Sequence, residues 1–504
     1  MPHILPPYGD RTKPSVAWAV VTVACIVNFL DLFQSSMVMF GLADIKEALE
    51  FTDGDLNWIL VAYTLTFATI LPAGGQLADR VGLRLTFLLG TFMLFWTNIL
   101  ISWTPDRNGL LAGRALAGVG AALTCATGIS VISHTFPPGK NRNAGLAIYV
   151  SCGPIGTVLG VILGALLTAS PAGWRSMFWV NFILAGVACV LGFLIIPNFD
   201  RDTTRGFDYY GVATFMSGTC LLIFGLNDAV DLGWKHPAVI VTIIVGALLL
   251  IAFPLVERKV SEPAVPLSIM RNPHVLVPLT VFMFVGGGWV TWFFLATEIC
   301  LNSLHYKTVL AACYFLPATA ASMIGGGIGN KLVGMGHTKI VIVAGYVISV
   351  GALVPWGFVG PQFGIWYVIV FSIFYLFAAP GIAVAAQAIV LNEIPLEDHG
   401  TAGALMNVMY QFGSSLFLAV VNVVMGSTAR SGDMSHDLLV QYHNGMWTLL
   451  AFTATGLILF VVFYLPRESR HAGILEKPQS ESDEVKDEEE AVRATKNTMN
   501  APLS

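Results

Sequence analysis

VAWAVVTVACIVNFLDLFQSSMVM, residues 16–39, is an apolar run of the length that crosses the hydrocarbon core of a bilayer as one helix. It carries one acid, Asp31, and no base. Thirteen further runs of the same kind follow, at about 56–76, 84–103, 109–132, 144–168, 177–197, 210–227, 237–256, 275–298, 309–330, 339–358, 364–390, 401–426 and 444–465. The connections between them are short. The chain therefore reads as an all-α polytopic membrane protein with fourteen spans and little room for a soluble domain.

The composition agrees. Of the 504 residues, 55% are hydrophobic and 11% charged, and the mean hydropathy is +0.72. A soluble domain carries about 25% charged residues, so a water-facing surface of ordinary polarity is excluded. The net charge of -5 is concentrated beyond the last span, where residues 471–504 hold eight acids and four bases. That stretch reads as a solvated, disordered tail. Nothing in the charge distribution points to a nucleic-acid partner. The seven cysteines, Cys25, Cys125, Cys152, Cys189, Cys220, Cys300 and Cys313, show neither paired nor metal-ligand spacing and read as small packing residues. The first span is long and lacks a small-residue cleavage site, so it is expected to remain as a helix.

Cytoplasmic loops of membrane proteins carry the excess of Lys and Arg. With the N-terminus placed in the cytoplasm, the inner side holds fifteen such residues between Arg11 and Arg470. The outer side holds six: Lys46, Arg107, Arg175, Lys235, Lys307 and Arg430. An even number of spans then puts both termini in the cytoplasm. Short loops force neighbouring helices side by side. Gly156, Gly160 and Gly164 recur every fourth residue, as do Gly74 and Ala78, and small residues at that spacing let helix backbones approach closely in lipid.

Gly75-Gln-Leu-Ala-Asp79-Arg80-Val-Gly82-Leu-Arg84 follows the second span, and Gly326-Gly-Ile-Gly-Asn330-Lys331, then Gly336, follows the tenth. A glycine, a carboxylate or amide four residues on, and a base next recur at matching places in two halves, as in transporters built from repeats. The glycine suits a tight turn. Asp79 suits a helix N-terminus or an arginine partner. The alternative is a chance polar turn.

The first of these segments resembles the loop signature of the major facilitator superfamily, G-x-L-a-D-r-x-G-r-r, at Gly75, Leu77, Asp79, Arg80, Gly82 and Arg84. Arg114-Ala-Leu-Ala-Gly118-Val-Gly120-Ala-Ala resembles the family's R-x-x-x-G-x-G-a-a stretch. Asp31 matches the first-span acid of its fourteen-span drug:proton antiporter branch. Gly173-Trp174-Arg175-Ser-Met-Phe178-Trp-Val-Asn181, Phe207-Asp208-Tyr-Tyr-Gly211 and Gly233-Trp234 resemble segments of that branch. So do Pro395-Leu-Glu397-Asp-His-Gly400-Thr-Ala402-Gly403 and Gln411-Phe-Gly413. The fungal aminotriazole-resistance type is the most similar. The fifth-span run Gly153-Pro154-Ile-Gly156-Thr157 departs from the branch's G-P-x-x-G-G, and Gln34-Ser35-Ser36 departs from its first-span signature. The resemblance implies two pseudo-symmetric six-helix bundles, residues 16–197 and 271–466. They are joined by a linker with two extra central helices (198–270) and flanked by a cytoplasmic N-terminus (1–15) and an acidic tail (467–504).

Ionisable side chains inside spans are costly and face a cavity or a partner. Asp31 and Arg114 are the two clear cases. Asp31 lies roughly 13 Å from the outer end of its span and Arg114 roughly 8 Å from the outer end of its own. They are expected to couple in the outer half, either as a proton-exchanging pair or as a permanent ion pair that orders two helices. Glu298 sits where it would line an outer vestibule or the membrane interface. His134 reads as a solvated loop residue. The cavity is expected to draw on Asn28, Gln34, Tyr63, Thr66, Trp289, Trp292, Gln387, Asn407, Tyr410 and Gln411. Apolar and aromatic walls with a few amides suit a neutral or amphiphilic organic molecule. Pro154 removes one helical hydrogen bond and is expected to kink the fifth helix.

The expected function is secondary active transport by a monomer in the plasma membrane, exporting small organic compounds against inward proton flow. Uptake on the same fold and a non-transporting sensor are the alternatives. Gly139-Lys140 lacks the rest of a phosphate-cradling loop. No metal-ligand cluster or nucleophile–base motif marks an enzyme, and no cofactor is expected.

Overall fold

The computed structural model describes residues 14–51, 56, 58–136, 140–199, 208–260, 272–360, 362–363, 365–394, 399–427 and 434–465. The acidic tail, most of the N-terminal segment and Pro395-Leu-Glu397 lie outside the described residues. Fourteen helices occur within them. They are α1 (Pro14–Leu49), α2 (Trp58–Val81), α3 (Leu83–Trp103), α4 (Arg107–Thr135), α5 (Lys140–Thr168), α6 (Arg175–Ile195) and α7 (Tyr209–Leu232). There follow α8 (Pro237–Glu257), α9 (Pro273–Glu298), α10 (Thr308–Gly334), α11 (Thr338–Trp356), α12 (Ile365–Asn392), α13 (His399–Ser427) and α14 (Met434–Phe463). A π-helical turn, Ile299–Ser303, continues α9. Thirteen of these helices are long and apolar enough to cross a membrane, and in α5 the described apolar run is Ile155–Thr168. The helices run alternately away from and back to the face at which α1 begins and α14 ends. That face is called terminal below, and the opposite one far.

Helix α1 outruns its apolar stretch by ten residues, to Leu49. Leu42, Ile45 and Leu49 stay buried while Asp44 and Glu47 are exposed. The helix thus continues as an amphipathic rod, which a run of uninterrupted hydropathy does not register. Helix α2 likewise swallows most of its signature. Gly75, Asp79 and Arg80 are helical, not loop, and the turn is made by Gly82 alone at φ 111. Asn330 and Lys331 sit in α10 in the same way, with Gly336 (φ 84) turning the chain. The expected tight turn at Gly75 is therefore corrected: within these two segments it is Gly82 and Gly336 that adopt the conformation a side chain disfavours.

The remaining signature residues tie elements together. The Gln76 side-chain oxygen accepts from Asp208 N at 3.0 Å, and Arg80 donates to the Tyr209 hydroxyl at 3.1 Å. Asp208 caps α7 by accepting from Gly211 N at 2.7 Å. Arg84 is buried and donates to the Phe193 carbonyl at 2.7 Å and to Asn198 Oδ1 at 3.3 Å. A guanidinium at the end of α6 meets carbonyls that have no helical partner and the negative end of the helix dipole. Arg84→Ala is expected to destabilise the protein by about 2 kcal/mol, since hydrogen bonds from a charged donor are lost. Arg84→Lys should recover only part of this, because one ammonium cannot span both acceptors. Thermal unfolding of the purified protein in detergent measures both.

Close helix pairs recur eight helices apart. Helix α1 packs on α5, and a Cβ on Gly156, Gly160 or Gly164 would meet the carbonyl oxygens of Phe29, Phe33 and Met37 at 2.4, 2.5 and 2.7 Å. Helix α9 packs on α13 with equal intimacy: a Cβ on Gly286 would lie 2.2 Å from Tyr410 O, and one on Gly413 2.0 Å from Met283 O. The pair α2–α4 closes at Gly118 and the pair α10–α12 at Gly325. The same plan is thus built twice, from α1–α6 and from α9–α14. Helices α7 and α8 pack on each other, and α7 rests on both α2 and α13.

The two bundles share apolar core chiefly toward the far face. Phe40 of α1 meets Phe293 of α9 (ring centroids 6.1 Å) and Phe315 of α10 (6.4 Å). Ser415 of α13 donates to the Thr64 hydroxyl of α2 at 2.8 Å. Toward the terminal face the cores part: Ala17, Val21, Ile132 and Phe136 cluster within one bundle, and Ile342, Tyr346, Ile382 and Phe460 within the other. Among the described residues, the bundles thus meet toward the far face.

Candidate functional site

Glycine spacing sets the site. Gly118 brings the α4 backbone against α2, since a Cβ there would lie 2.3 Å from Tyr63 O. One turn earlier on α4, Arg114 then falls over the Tyr63 ring, 4.5 Å from its centroid. Its Nε donates to the Ile59 carbonyl at 2.9 Å. Arg114 is 1% exposed, and its Nη1 is buried with no hydrogen-bond partner. On the other side of the ring, the Tyr63 hydroxyl donates to Asp31 Oδ1. Gln34 Nε2 donates to the same hydroxyl oxygen at 2.9 Å. The sequence suggested a pair; the structure gives a relay, with Tyr63 bonded to the acid and stacked under the base.

Tyr63 lines one cavity, and its partner Asp31 lines another. The larger, of about 50 Å³, lies between the bundles. Tyr63, Arg114, Trp289, Tyr410 and Gln411 line it, together with Ser35, Thr64, Thr157 and Phe293. The smaller, of about 10 Å³, lies within the first bundle and is lined by Asn28, Asp31, Cys125 and Tyr149. The first has room for a few waters and the second for about one. A drug-sized ligand occupies about 300–1,000 Å³. The larger cavity must widen before it can take one.

The other expected cavity residues divide. Asn28 donates to Tyr149 O at 2.8 Å and belongs with Asp31 in the smaller cavity. Gln34 acts through Tyr63. Thr66 donates to the Ala115 carbonyl at 2.8 Å and joins α2 to α4. Trp292 does not line the chamber. It is fully buried in the second bundle, stacked on Tyr375 (5.2 Å) and set edge-on to Trp356 (5.9 Å). The chamber face of α9 is Trp289, Val290 and Phe293, and helical geometry turns Trp292 away from that stripe. Gln387 and Asn407 are also off the described chamber lining, and Asn407 donates to Gly403 O within its own helix at 3.1 Å. Gly153 packs against Leu32 of α1, at 2.7 Å from a Cβ added there. The side chains of Asp79 and Pro154 lie outside the described set.

Glu298 is neither in an open vestibule nor at the lipid interface. It is 4% exposed and accepts from Asn302 Nδ2 at 2.6 Å and from the Tyr442 hydroxyl at 3.2 Å. The π turn after α9 brings Asn302 under the carboxylate, a placement that sequence spacing alone does not reveal. His134 is exposed, hydrogen-bonds Ser130 O of its own helix at 2.8 Å and lies edge-on to the Phe199 ring at 5.9 Å. The chamber residues that sequence reading missed are Leu32, Ser35, Ser36, Met39, Leu60, Thr64, Thr157, Val290 and Phe293. Each is small or apolar, so chemistry does not mark it. All seven cysteines are free.

Comparison with known proteins bears on this arrangement. The sequence model of the Major Facilitator Superfamily matches residues 24–418. The chain is 39% identical over 469 residues to the major facilitator superfamily multidrug transporter mfsC of Aspergillus fumigatus, covering 92% of this chain and 90% of that protein. It is 29% identical over 439 residues to the cephamycin export protein of Amycolatopsis lactamdurans, covering 83% and 87%. The crystal structure of an auto-inhibited POT family peptide transporter superposes with a TM-score of 0.65 at 15% identity, over 90% of this chain and 96% of that one, a likeness of fold. With its duplicated six-helix plan and a match across most of its length, the chain belongs to the major facilitator superfamily: it is a multi-pass membrane transporter and not an enzyme.

Proposed function

We propose that this chain exports small organic compounds in exchange for protons, by alternating access around the chamber between its bundles. The observation that carries the reading is Asp31, an acid within a span, bonded to Tyr63 while the Tyr63 ring carries Arg114 and faces the chamber. Intramembrane acids with such partners serve proton relays. A molecule entering the chamber presses on Tyr63 and Arg114. Any shift of either changes what holds the Asp31 carboxylate, and so whether it keeps or releases a proton. Contacts between the bundles toward the far face and separate cores toward the terminal face support a reading in which the bundles rock against each other. Export is supported by relatives whose names describe multidrug transport and cephamycin export.

In this reading the terminal face is cytoplasmic, the membrane is the plasma membrane, and the chain works as a monomer. The partners are the lipid bilayer, protons and a small-molecule substrate. Proteoliposomes with an imposed pH gradient and a panel of fluorescent organic compounds test it. Export is expected to follow the gradient and to collapse with a protonophore. Accumulation in the opposite direction would establish uptake, which the departing fifth-span run Gly153-Pro154-Ile-Gly156-Thr157 leaves as the rival. Flux that ignores the gradient would end the proton assignment.

A further inference from the structure

We infer that the chamber between the bundles selects molecules that carry an anionic oxygen, a carboxylate on an aromatic or amphiphilic frame, and that Arg114 is the group that binds it. The inference deepens the transport reading given above and rests on it.

Arg114 is the one formally charged side chain among the described residues lining the chamber. Asp31 acts on it electrostatically, but its carboxylate is bonded to Tyr63 and lines the other cavity. The Asp31 carboxylate is thus turned to Tyr63 and the other cavity, and Arg114 is the charged group that a ligand in the chamber meets directly. The guanidinium is also incompletely bonded. Nε is used on Ile59 O, the cationic face lies on the Tyr63 ring, and Nη1 is buried with no hydrogen-bond partner. A buried donor without an acceptor is unfavourable, and more so when it is charged. A carboxylate oxygen arriving from the chamber meets both demands, charge and hydrogen bond, and guanidinium geometry favours such an acceptor.

The rest of the lining fits the rest of that ligand. Trp289, Phe293 and Tyr410 offer aromatic surface, and Gln411 and Thr64 offer neutral polar contacts. No lining side chain is an acid that could hold a cation. An organic ammonium would face the guanidinium at close range, a repulsion that the buried setting strengthens. The chamber as it stands is too small for such a ligand, so binding requires the bundles to move apart. The anion thus binds a widened state in preference to this one and shifts the population toward it.

The test uses the full chain in lipid nanodiscs and three probes with one ring system: 2-naphthoate, 2-naphthamide and 2-naphthylmethylammonium. Equilibrium dialysis gives their affinities. Naphthoate is expected to bind at least about tenfold more tightly than the ammonium, with the amide between them. Arg114→Gln is expected to erase that order, and Arg114→Lys to preserve its direction with a smaller ratio. Equal or tighter binding of the ammonium overturns the inference, whatever the variants do. So does the absence of measurable naphthoate binding, or a carboxylate preference that survives in folded Arg114→Gln. The same probes in pH-gradient liposomes separate the two readings. Gradient-driven flux of the amide or ammonium but not of naphthoate leaves export standing and sinks the anion site. Binding of naphthoate at Arg114 with no gradient-driven flux of any probe does the reverse.

Discussion

Asp31→Asn is expected to abolish gradient-driven export while leaving the folded protein intact. The amide keeps an oxygen where the Tyr63 hydroxyl donates, so the contacts linking Gln34, Tyr63 and Asp31 can persist. What disappears is the capacity to gain and lose a proton. Positioned proton-transfer groups are worth about 10²–10⁴-fold in rate, so gradient-driven flux should fall by about 100-fold or more. Counterflow, in which labelled substrate exchanges for unlabelled across a liposome without a pH gradient, should survive, because it needs chamber and rocking motion but no net proton movement. Thermal unfolding should change little. If the Asn variant still concentrates substrate in response to pH, Asp31 is not the proton carrier, and Glu298 becomes the acid to examine. If counterflow is lost together with driven flux, the substitution has damaged the chamber and not the coupling.

Gly325→Val is expected to be the most destabilising single change in the second bundle, and Gly327→Ala, two residues on, to be harmless. A Cβ on Gly325 would lie 1.8 Å from the Phe377 carbonyl oxygen, where α10 and α12 cross backbone to backbone. Neither helix can yield without opening a pair that closes the bundle. Overpacking costs about 1–3 kcal/mol and more where the backbone itself must move, so a loss on the order of 3 kcal/mol or failure to fold is expected. Around Gly327 nothing lies within 4 Å of an added Cβ. Alanine there should fall within about 0.5 kcal/mol of the parent, as surface substitutions do, with helix propensity on its side. Melting temperatures of the two variants in one detergent decide it, and equal values would refute the packing account.

The contrast shows where sequence reading stops. In the run Gly325-Gly326-Gly327 the three residues are chemically identical. Only the direction each Cα presents to α12 distinguishes a contact glycine from a free one, and that depends on which neighbour the helix finds. The first-half stripe Gly156, Gly160 and Gly164 was legible because its spacing repeats along one helix face, and all three do meet α1. In the signature after the second span, the residues matched a family pattern but their conformation did not match the expected loop. Gly75 is helical and Gly82 makes the turn. A helix that leaves the membrane as an ordinary amphipathic rod gives no hydropathy mark at its true end, as the extension of α1 to Leu49 also shows.

The candidate site divides along the same line. Asp31 and Arg114 were visible because a charge inside a span is too unfavourable to be incidental. Tyr63 was only one aromatic residue among many. Its position between acid and base arises from three helices meeting, α1, α2 and α4, and from the close approach that Gly118 permits. Trp292 and Trp289 lie three residues apart on α9. Which of them faced the chamber depended on the rotation of that helix about its own axis, set by Gly286 against Tyr410 of α13.

By itself the sequence determined that the chain lives in a bilayer as a multi-pass helical protein of the major facilitator type. Hydrophobic length, charge bias and periodic glycine act locally along the chain and survive in one dimension. Tertiary structure alone decided that Tyr63 bonds Asp31 while its ring carries Arg114, that the two groups open on different cavities, and where the bundles touch. Those are relations between helices distant in sequence. In lipid they follow from shape and from a few buried hydrogen bonds, which no single segment encodes.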